Sequence, residues 1–210
     1  MRNEYKNIFS CNPDFKKNAR MNWRFSKLIV EEKNRINMAE GYGGAAILLI
    51  DKCLEDNYDK KADIIIFPII FSINQSIELY LKSIMSSVNK LLSHSETPKL
   101  NHDIISIFYY VDSKVKILEK DRYETCIFKR DYKNIEEYLK ELREILNDKE
   151  RKSMDFSRYP ESVKGDTRFY EKTFDTILID LENLKNRITT ILENLNLIAW
   201  YYWELTQDQR

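Results

Sequence analysis

The sequence predicts an all-α protein, and three observations lead to this prediction. Only four glycines and four prolines occur among 210 residues, charged residues make up 32%, and apolar residues recur at helical spacing in every long segment. Few helix breakers combined with many charged and aliphatic residues favour long helices over a sheet. The length suits one sizeable core. We therefore expect a single domain over residues 1–210, built as a bundle of about five long helices.

The first helical segment follows a polar lead-in, residues 1–12. Asn12 precedes a proline, and proline is favoured at the first helical position, so we expect a helix from here to about Tyr58. The glycines within Gly41–Gly44 interrupt the pattern, and each costs a helix interior up to ~1 kcal/mol. They predict either a break between two helices or a close helix–helix contact. Their spacing fits neither the dinucleotide-binding nor the P-loop pattern.

The second helix is predicted from near Lys61 to Leu92, with a kink at Pro68. Its most apolar window, Ile64–Ile73, is about ten residues long, whereas a membrane span needs roughly twenty. No signal-peptide pattern begins the chain. We therefore expect a soluble, cytoplasmic protein that does not enter a membrane.

The third helix is predicted from His102 to about Lys120. A loop precedes it, Asn101 is the expected helix cap, and Asp103 falls in the first turn, where acidic side chains are favoured. We expect residues 121–133 to form a connection rather than a helix.

The fourth helix is predicted to begin with a capping box at Asn134–Glu137 and to continue to about Lys152. Residues 153–172 form a long ordered loop in this interpretation, and loops of that length are often functional. The fifth helix follows from near Thr173 to about Leu205 and contains four consecutive aromatics, Trp200–Trp203. Because clustered exposed aromatics mark contacts, we expect a homodimer joined through this last helix.

A polar stripe on the second helix is the first candidate site. Asn74, Glu78 and Lys82 are each four residues apart and so share one helix face, with the acid on the favourable side of the base. His102 and Asp103 are the expected partners of this face. One interpretation is structural: Glu78 pairs with Lys82, and His102 satisfies a helix end. The other is a polar cleft that binds RNA, a nucleotide or a protein.

The loop of residues 153–172 is the second candidate. Arg158, Tyr159 and Arg168 give it a basic and aromatic character suited to phosphate contact and base stacking. The alternative is an ordered surface loop in which Phe156 and Tyr159 plug the bundle.

Composition and motifs argue against several other functions. Lys+Arg and Asp+Glu both number 34, so the net charge is zero and whole-surface attraction to nucleic acid is not expected. Three widely spaced cysteines and two histidines offer no metal-binding cluster, so we expect no metal and no cofactor. The cysteines are expected as buried, reduced thiols. No nucleophile-elbow motif is present, and a basic recognition helix is missing too.

The string from Pro68 through Glu78-Leu-Tyr-Leu-Lys82, followed by His102-Asp-Ile, resembles the Glu-Leu-x-Leu-Lys-Ala…His-Asp-Leu pattern of HEPN-domain proteins. Tyr42-Gly-Gly-Ala-Ala is similar to their preceding helix, and Arg158-Tyr-Pro to a segment of some members. The resemblance spans about residues 35–200. It implies a helical bundle and a role in prokaryotic toxin–antitoxin or other anti-phage systems.

The chain departs from the ribonuclease members of that family. They carry an arginine followed four to six residues later by a histidine, and no such pair occurs here. We therefore expect a non-catalytic HEPN-like component of a bacterial defence, immunity or toxin–antitoxin system, which contacts RNA, a nucleotide or a partner protein. The alternatives are a divergent, metal-independent endoribonuclease toxin that uses His102 with Arg158 or Arg168, and a structural dimerisation module.

Overall fold

The computed structural model describes residues 8–20, 24, 31–93, 102–145 and 177–208. Within these ranges five α-helices and no strands are found, so the all-α bundle is confirmed. The helices span these bounds: α1, Glu31–Glu55; α2, Ala62–Leu91; α3, Ile104–Glu119; α4, Ile127–Ile145; and α5, Leu181–Asp208. Buried apolar residues of all five pack into one core.

Side-chain bonds between helices define how the helices run. Ser83 Oγ donates to Glu32 O (3.0 Å) and Ser76 Oγ donates to Ala39 O (2.8 Å), so α1 and α2 are antiparallel. Helices α1 and α5 are joined by an ion pair between Lys185, near the start of α5, and Asp51, near the end of α1.

Helix α3 runs parallel to α2. Consecutive helices joined by a short connection usually run antiparallel. His102, just before α3, contacts Glu78, and Tyr110 further along α3 donates to Asn89. The start of α3 therefore lies back along α2 by the thirteen residues between Glu78 and Leu91, or about 20 Å at the helical rise. This arrangement brings the two halves of the sequence pattern, Glu78 and His102, together.

Helix α2 is the centre of the bundle and continues through Pro68. It is the one described helix long and apolar enough to cross a membrane, judged by length and composition. Half of its most apolar window is buried inside the bundle. The apolar window is longer than the ten residues expected from sequence.

Three helix starts differ from the predictions. Helix α5 starts at Leu181 rather than near Thr173, and residues 177–180 are not helical. The segment from Asn12 is a single 3₁₀ turn, Phe15–Lys17, because Asn18 donates its amide to the Asn12 and Asp14 carbonyls and ends the turn. Helix α4 starts at Ile127, seven residues before the predicted capping box, and a 3₁₀ helix, Lys120–Thr125, precedes it. The expectation of a non-helical connection over residues 121–133 was wrong.

Of the two structures predicted for Gly41–Gly44, the close helix–helix contact is the one found. Helix α1 is continuous through Gly41–Gly44. A Cβ at Gly43 would stand 2.9 Å from Leu192 Cδ1 on α5 and 3.0 Å from Ser76 Oγ on α2, whereas one at Gly41 or Gly44 would meet nothing within 4 Å. Only the middle glycine is therefore required by packing. Of the cysteines, Cys53 and Cys126 are buried as expected, and Cys11 is exposed.

Candidate functional site

The centre of the candidate site is the buried carboxylate of Glu78. Its side chain is 6% exposed, and it lies on the core-facing half of α2. Lys82, one turn further on, brings its ammonium to 2.7 Å from Glu78 Oε1. This i,i+4 pair matches the spacing predicted from sequence, with the acid nearer the helix N-terminus.

His102 completes the site from the turn just before α3. Its Nδ1 lies 3.0 Å from the same Glu78 Oε1, while 57% of its side chain is exposed. A carboxylate oxygen without a proton only accepts hydrogen bonds, so we assign the donated proton of this contact to Nδ1. The other ring nitrogen, Nε2, is thus not used by this bond. The predicted meeting of Glu78, Lys82 and His102 is confirmed.

Asp103 fixes the start of α3 and so the position of His102. Its carboxylate accepts from the backbone N–H of Ser106 (3.1 Å) and from the Ser106 hydroxyl (2.5 Å). The cap is therefore Asp103 itself, in an extended conformation, rather than Asn101 as predicted. Asn101 lies outside the described residues.

Asn74 does not join the cluster. It is 3% exposed, and its Oδ1 accepts a 2.7 Å bond from the hydroxyl of Tyr138 on α4. Among the residues described, its Nδ2 has no partner. The stripe predicted from sequence therefore divides: Asn74 links α2 to α4 in the interior, and Glu78 with Lys82 links α2 to the start of α3.

The remaining predicted residues cannot be placed beside this cluster. Arg158, Tyr159 and Arg168 lie outside the described residues, as do Phe156 and the loop 153–172 as a whole. Their roles in phosphate contact, or as a plug for the bundle, stay predictions.

Three further buried carboxylates were not anticipated. Glu32, Asp112 and Glu119 are each at most 6% exposed, and each pairs with an exposed cation at the surface. Burial of Glu32 would raise its pKa, but hydrogen bonds from Lys90 and Ser86 outweigh burial and hold the pKa below its usual value. Sequence spacing signals only the local pairs of Asp112 with Lys116 and of Glu119 with Arg122. The Glu32–Lys90 pair joins α1 to α2, so sequence spacing does not signal it.

Tyrosine hydroxyls bind two of these carboxylates inside the bundle. Tyr123 donates to Asp112, and Tyr202 donates to Glu119 (3.1 Å). Burial and the adjacent carboxylate raise the pKa of both phenols, so both stay protonated donors. Tyr202 is fully buried, and Trp200 and Trp203 pack against the core. Only Tyr201 of the four consecutive aromatics is exposed, so the exposed aromatic cluster predicted from sequence is not found.

The described residues contain no group of three or more His, Cys, Asp or Glu side chains that could hold a metal. The Glu78 cluster has two groups available for chemistry: the Lys82 ammonium, which is bonded to the buried Glu78 carboxylate, and the His102 imidazole, which the same carboxylate orients. No family model matches this chain, and no curated protein or solved structure is significantly similar to it.

Proposed function

We propose that this chain is a non-catalytic, HEPN-like binding protein of a bacterial defence, immunity or toxin–antitoxin system, with RNA as its ligand. The observation that carries the proposal is the cluster at Glu78. One buried carboxylate accepts from both Lys82 and His102 within 3.0 Å, so the polar groups satisfy one another. Such a closed cluster stabilises a binding face.

The defence context rests on the resemblance of the Glu78–Lys82 and His102–Asp103 strings to HEPN sequences. The ligand is argued from chemistry. The partly exposed Lys82 ammonium has three N–H donors, and its bond to Glu78 uses one of them, so the others can be donated to a phosphate. His102 gives its Nδ1–H to Glu78 and presents Nε2 as an acceptor for a ribose hydroxyl or a base N–H. A nucleotide or a partner protein is a different outcome of the same experiment.

The test measures binding of a fluorescent single-stranded RNA to the wild type and to Lys82→Ala and His102→Ala. We expect both variants to bind more weakly. The matched control is Lys52→Ala on α1, whose exposed lysine pairs with Glu55 in a similar local ion pair. Equal affinity of all four proteins would overturn the site, and binding of a nucleotide or a protein in place of RNA would change the ligand.

A second candidate, a divergent endoribonuclease, is favoured by one observation. Glu78 orients His102 through Nδ1 while more than half of the imidazole is exposed, and an oriented imidazole with an available nitrogen suits proton transfer. The arginine that would stabilise the phosphate would have to come from Arg158 or Arg168. Toxicity on expression, abolished by His102→Ala, would favour this candidate.

We also propose a homodimer through α5. Its outer surface exposes Leu197 (60%) and Tyr201 (38%), whereas Tyr202 belongs to the core. Removing residues 199–210 would therefore damage the fold. Leu197→Glu with Tyr201→Glu is the better test, because both side chains are exposed. Light scattering should give a dimer for the wild type and a folded monomer for the variant, and a monomeric wild type would overturn the interface.

A further inference from the structure

The junction of α3 and α4 is rich in basic side chains. Residues 112–133 contain seven basic and five acidic side chains. Three of the five acids accept from neutral side chains: Asp112 from Tyr123, Glu119 from Tyr202, and the partly buried Asp131 from Asn194 at 2.6 Å. Asp112 and Glu119 also form ion pairs with Lys116 (2.7 Å) and Arg122 (3.4 Å). Burial raises the pKa of Asp131, as expected for a carboxyl turned inward.

The basic side chains of the same segment are at or near the surface. Five are exposed and two are partly exposed; the seven are Lys114, Lys116, Lys120, Arg122, Lys129, Arg130 and Lys133. Only Asp121 and Glu124 are exposed acids here. In a chain whose net charge is zero, basic side chains outnumber acidic ones by two in this segment, and Lys116, Arg122 and Lys133 each pair with a carboxylate.

Tyrosine rings alternate with these cations. Lys116 Nζ lies 5.0 Å from the centre of the Tyr123 ring, and Lys129 Nζ lies 5.1 Å from it on α4. The Lys129 ammonium is also 4.8 Å from the centre of the Tyr132 ring. Tyr132 and the exposed Tyr109 both donate to Glu136. We call Lys116, Tyr123, Lys129, Tyr132 and Tyr109 the lysine–tyrosine ladder.

The ladder fixes where the cations stand. Cation–π contacts within about 6 Å hold lysines that would otherwise move freely, so less side-chain freedom remains to be lost on binding. Tyr109, which is 42% exposed, and Tyr132, which is partly exposed, offer ring surface at one end of the ladder. Positive charge along a track with aromatic rings beside it is the chemistry that binds single-stranded nucleic acid.

We infer that the lysine–tyrosine ladder and the basic residues around it form a binding surface for single-stranded RNA. The inference rests on the proposed function and gives it a second site. Lys116 is fourteen residues from His102 along α3, or about 20 Å at the helical rise, so the two surfaces can be tested separately. An acidic protein is the competing occupant, but it would leave the exposed tyrosine ring without a stacking partner.

The test uses fluorescence anisotropy with a labelled, mixed-sequence single-stranded RNA of about 20 nucleotides, titrated at several salt concentrations. The ladder variant combines Lys129→Gln, Arg130→Gln and Lys133→Gln, which keeps helix propensity nearly constant. The control combines Lys52→Gln, Lys60→Gln and Lys61→Gln. It removes the same charge near the junction of α1 and α2, at the opposite end of the bundle.

We expect the ladder variant to lose at least about tenfold in affinity, and its log–log salt slope to fall by about 2, since each lost phosphate contact on a single strand accounts for about 0.7. The control should stay within about twofold of the wild type. Circular dichroism checks that both variants are folded.

Each other outcome overturns a defined part of the account. Equal weakening by both triple variants would mean that only net charge matters, and the ladder would be rejected. Loss of binding in Lys82→Ala and His102→Ala with an unchanged ladder variant would reject the ladder and keep the proposed function. A wild type that binds no RNA at about 50 mM salt would reject RNA at both surfaces. Polyglutamate that binds as tightly as RNA would favour an acidic protein.

Discussion

Ser76 and Ala39 are joined across the α1–α2 interface: the Ser76 hydroxyl donates to the Ala39 carbonyl oxygen at 2.8 Å. The same hydroxyl oxygen lies 3.0 Å from where a Cβ on Gly43 would stand. Ser76 is fully buried and cannot move away without losing its bond. The close approach of α1 to α2 and α5 therefore depends on this one glycine.

Gly43→Ala should destabilise the protein by about 1–3 kcal/mol, the usual cost of overpacking a core. The added methyl would press on Ser76 of α2 and on the Leu192 side chain, which α5 places against α1. Urea unfolding followed by circular dichroism measures the change. An unchanged free energy of unfolding would mean that the helices separate easily at this point.

Gly41→Ala and Gly44→Ala provide the matched controls, with the opposite sign. A Cβ at either position meets nothing within 4 Å, and the residues are on the outer face of α1. Alanine in place of a helical glycine should raise the free energy of unfolding by about 0.5–1 kcal/mol. Destabilisation by either change would show that another surface, such as a partner, packs closely here.

Glu78→Ala should lower the free energy of unfolding by about 1–3 kcal/mol, because it removes the acceptor shared by two donors in a mostly buried position. His102→Ala should also lower the melting temperature, since it removes the bond that positions the start of α3. Lys82→Ala should have the smallest effect, because a long amine reaches solvent easily. Thermal unfolding ranks the three. If Lys82→Ala proved the most damaging, the assignment of roles within the cluster would be wrong.

Glu32 should make stability depend on pH. Its pKa is lower in the folded protein than its usual value of 4.5, so its stabilising effect is complete above about 4.5 and is lost as pH falls through the lower, folded pKa. Glu32→Gln should therefore destabilise the protein at about pH 7 and have much less effect at about pH 3. Urea unfolding at both values measures this difference.

Asp131→Asn is the control of opposite sign. Burial raises the pKa of Asp131, so ionisation of this group costs stability as pH rises through the folded pKa. The asparagine keeps an oxygen to accept from Asn194. At about pH 7 this change should be neutral or stabilising. Destabilisation of the same size as for Glu32→Gln would contradict the pKa shifts as the cause.

The sequence predicted the parts of the fold that depend on local spacing. The bounds of α2 agree within one residue at each end, and the Glu78–Lys82 pair follows from its i,i+4 separation. The contact of His102 with Glu78 was also expected, because His102 is a polar residue near a predicted helix start and was the candidate partner of the Glu78 face. The first two features are set by residues close together in the chain, whereas this contact joins residues 24 apart.

Other features depended on tertiary structure that spacing does not reveal. Three features depend on contacts between residues far apart in sequence. They are the parallel direction of α2 and α3, the bond from Tyr138 to Asn74, and the burial of Glu32 against Ser86. The start of α4 was placed too late because the Asn134 pattern resembled a cap, while packing of Phe128 in the core extends the helix toward its N-terminus. Tertiary packing overrode a local signal there.

The most direct test of the central claim, binding without catalysis, is an RNA-cleavage assay on purified wild-type protein with His102→Ala in parallel. The account predicts that labelled single-stranded RNA stays intact during incubation while it shifts on a native gel with the wild type. Cleavage by the wild type that is absent from a stably folded His102→Ala would contradict the account, and the divergent endoribonuclease would replace it.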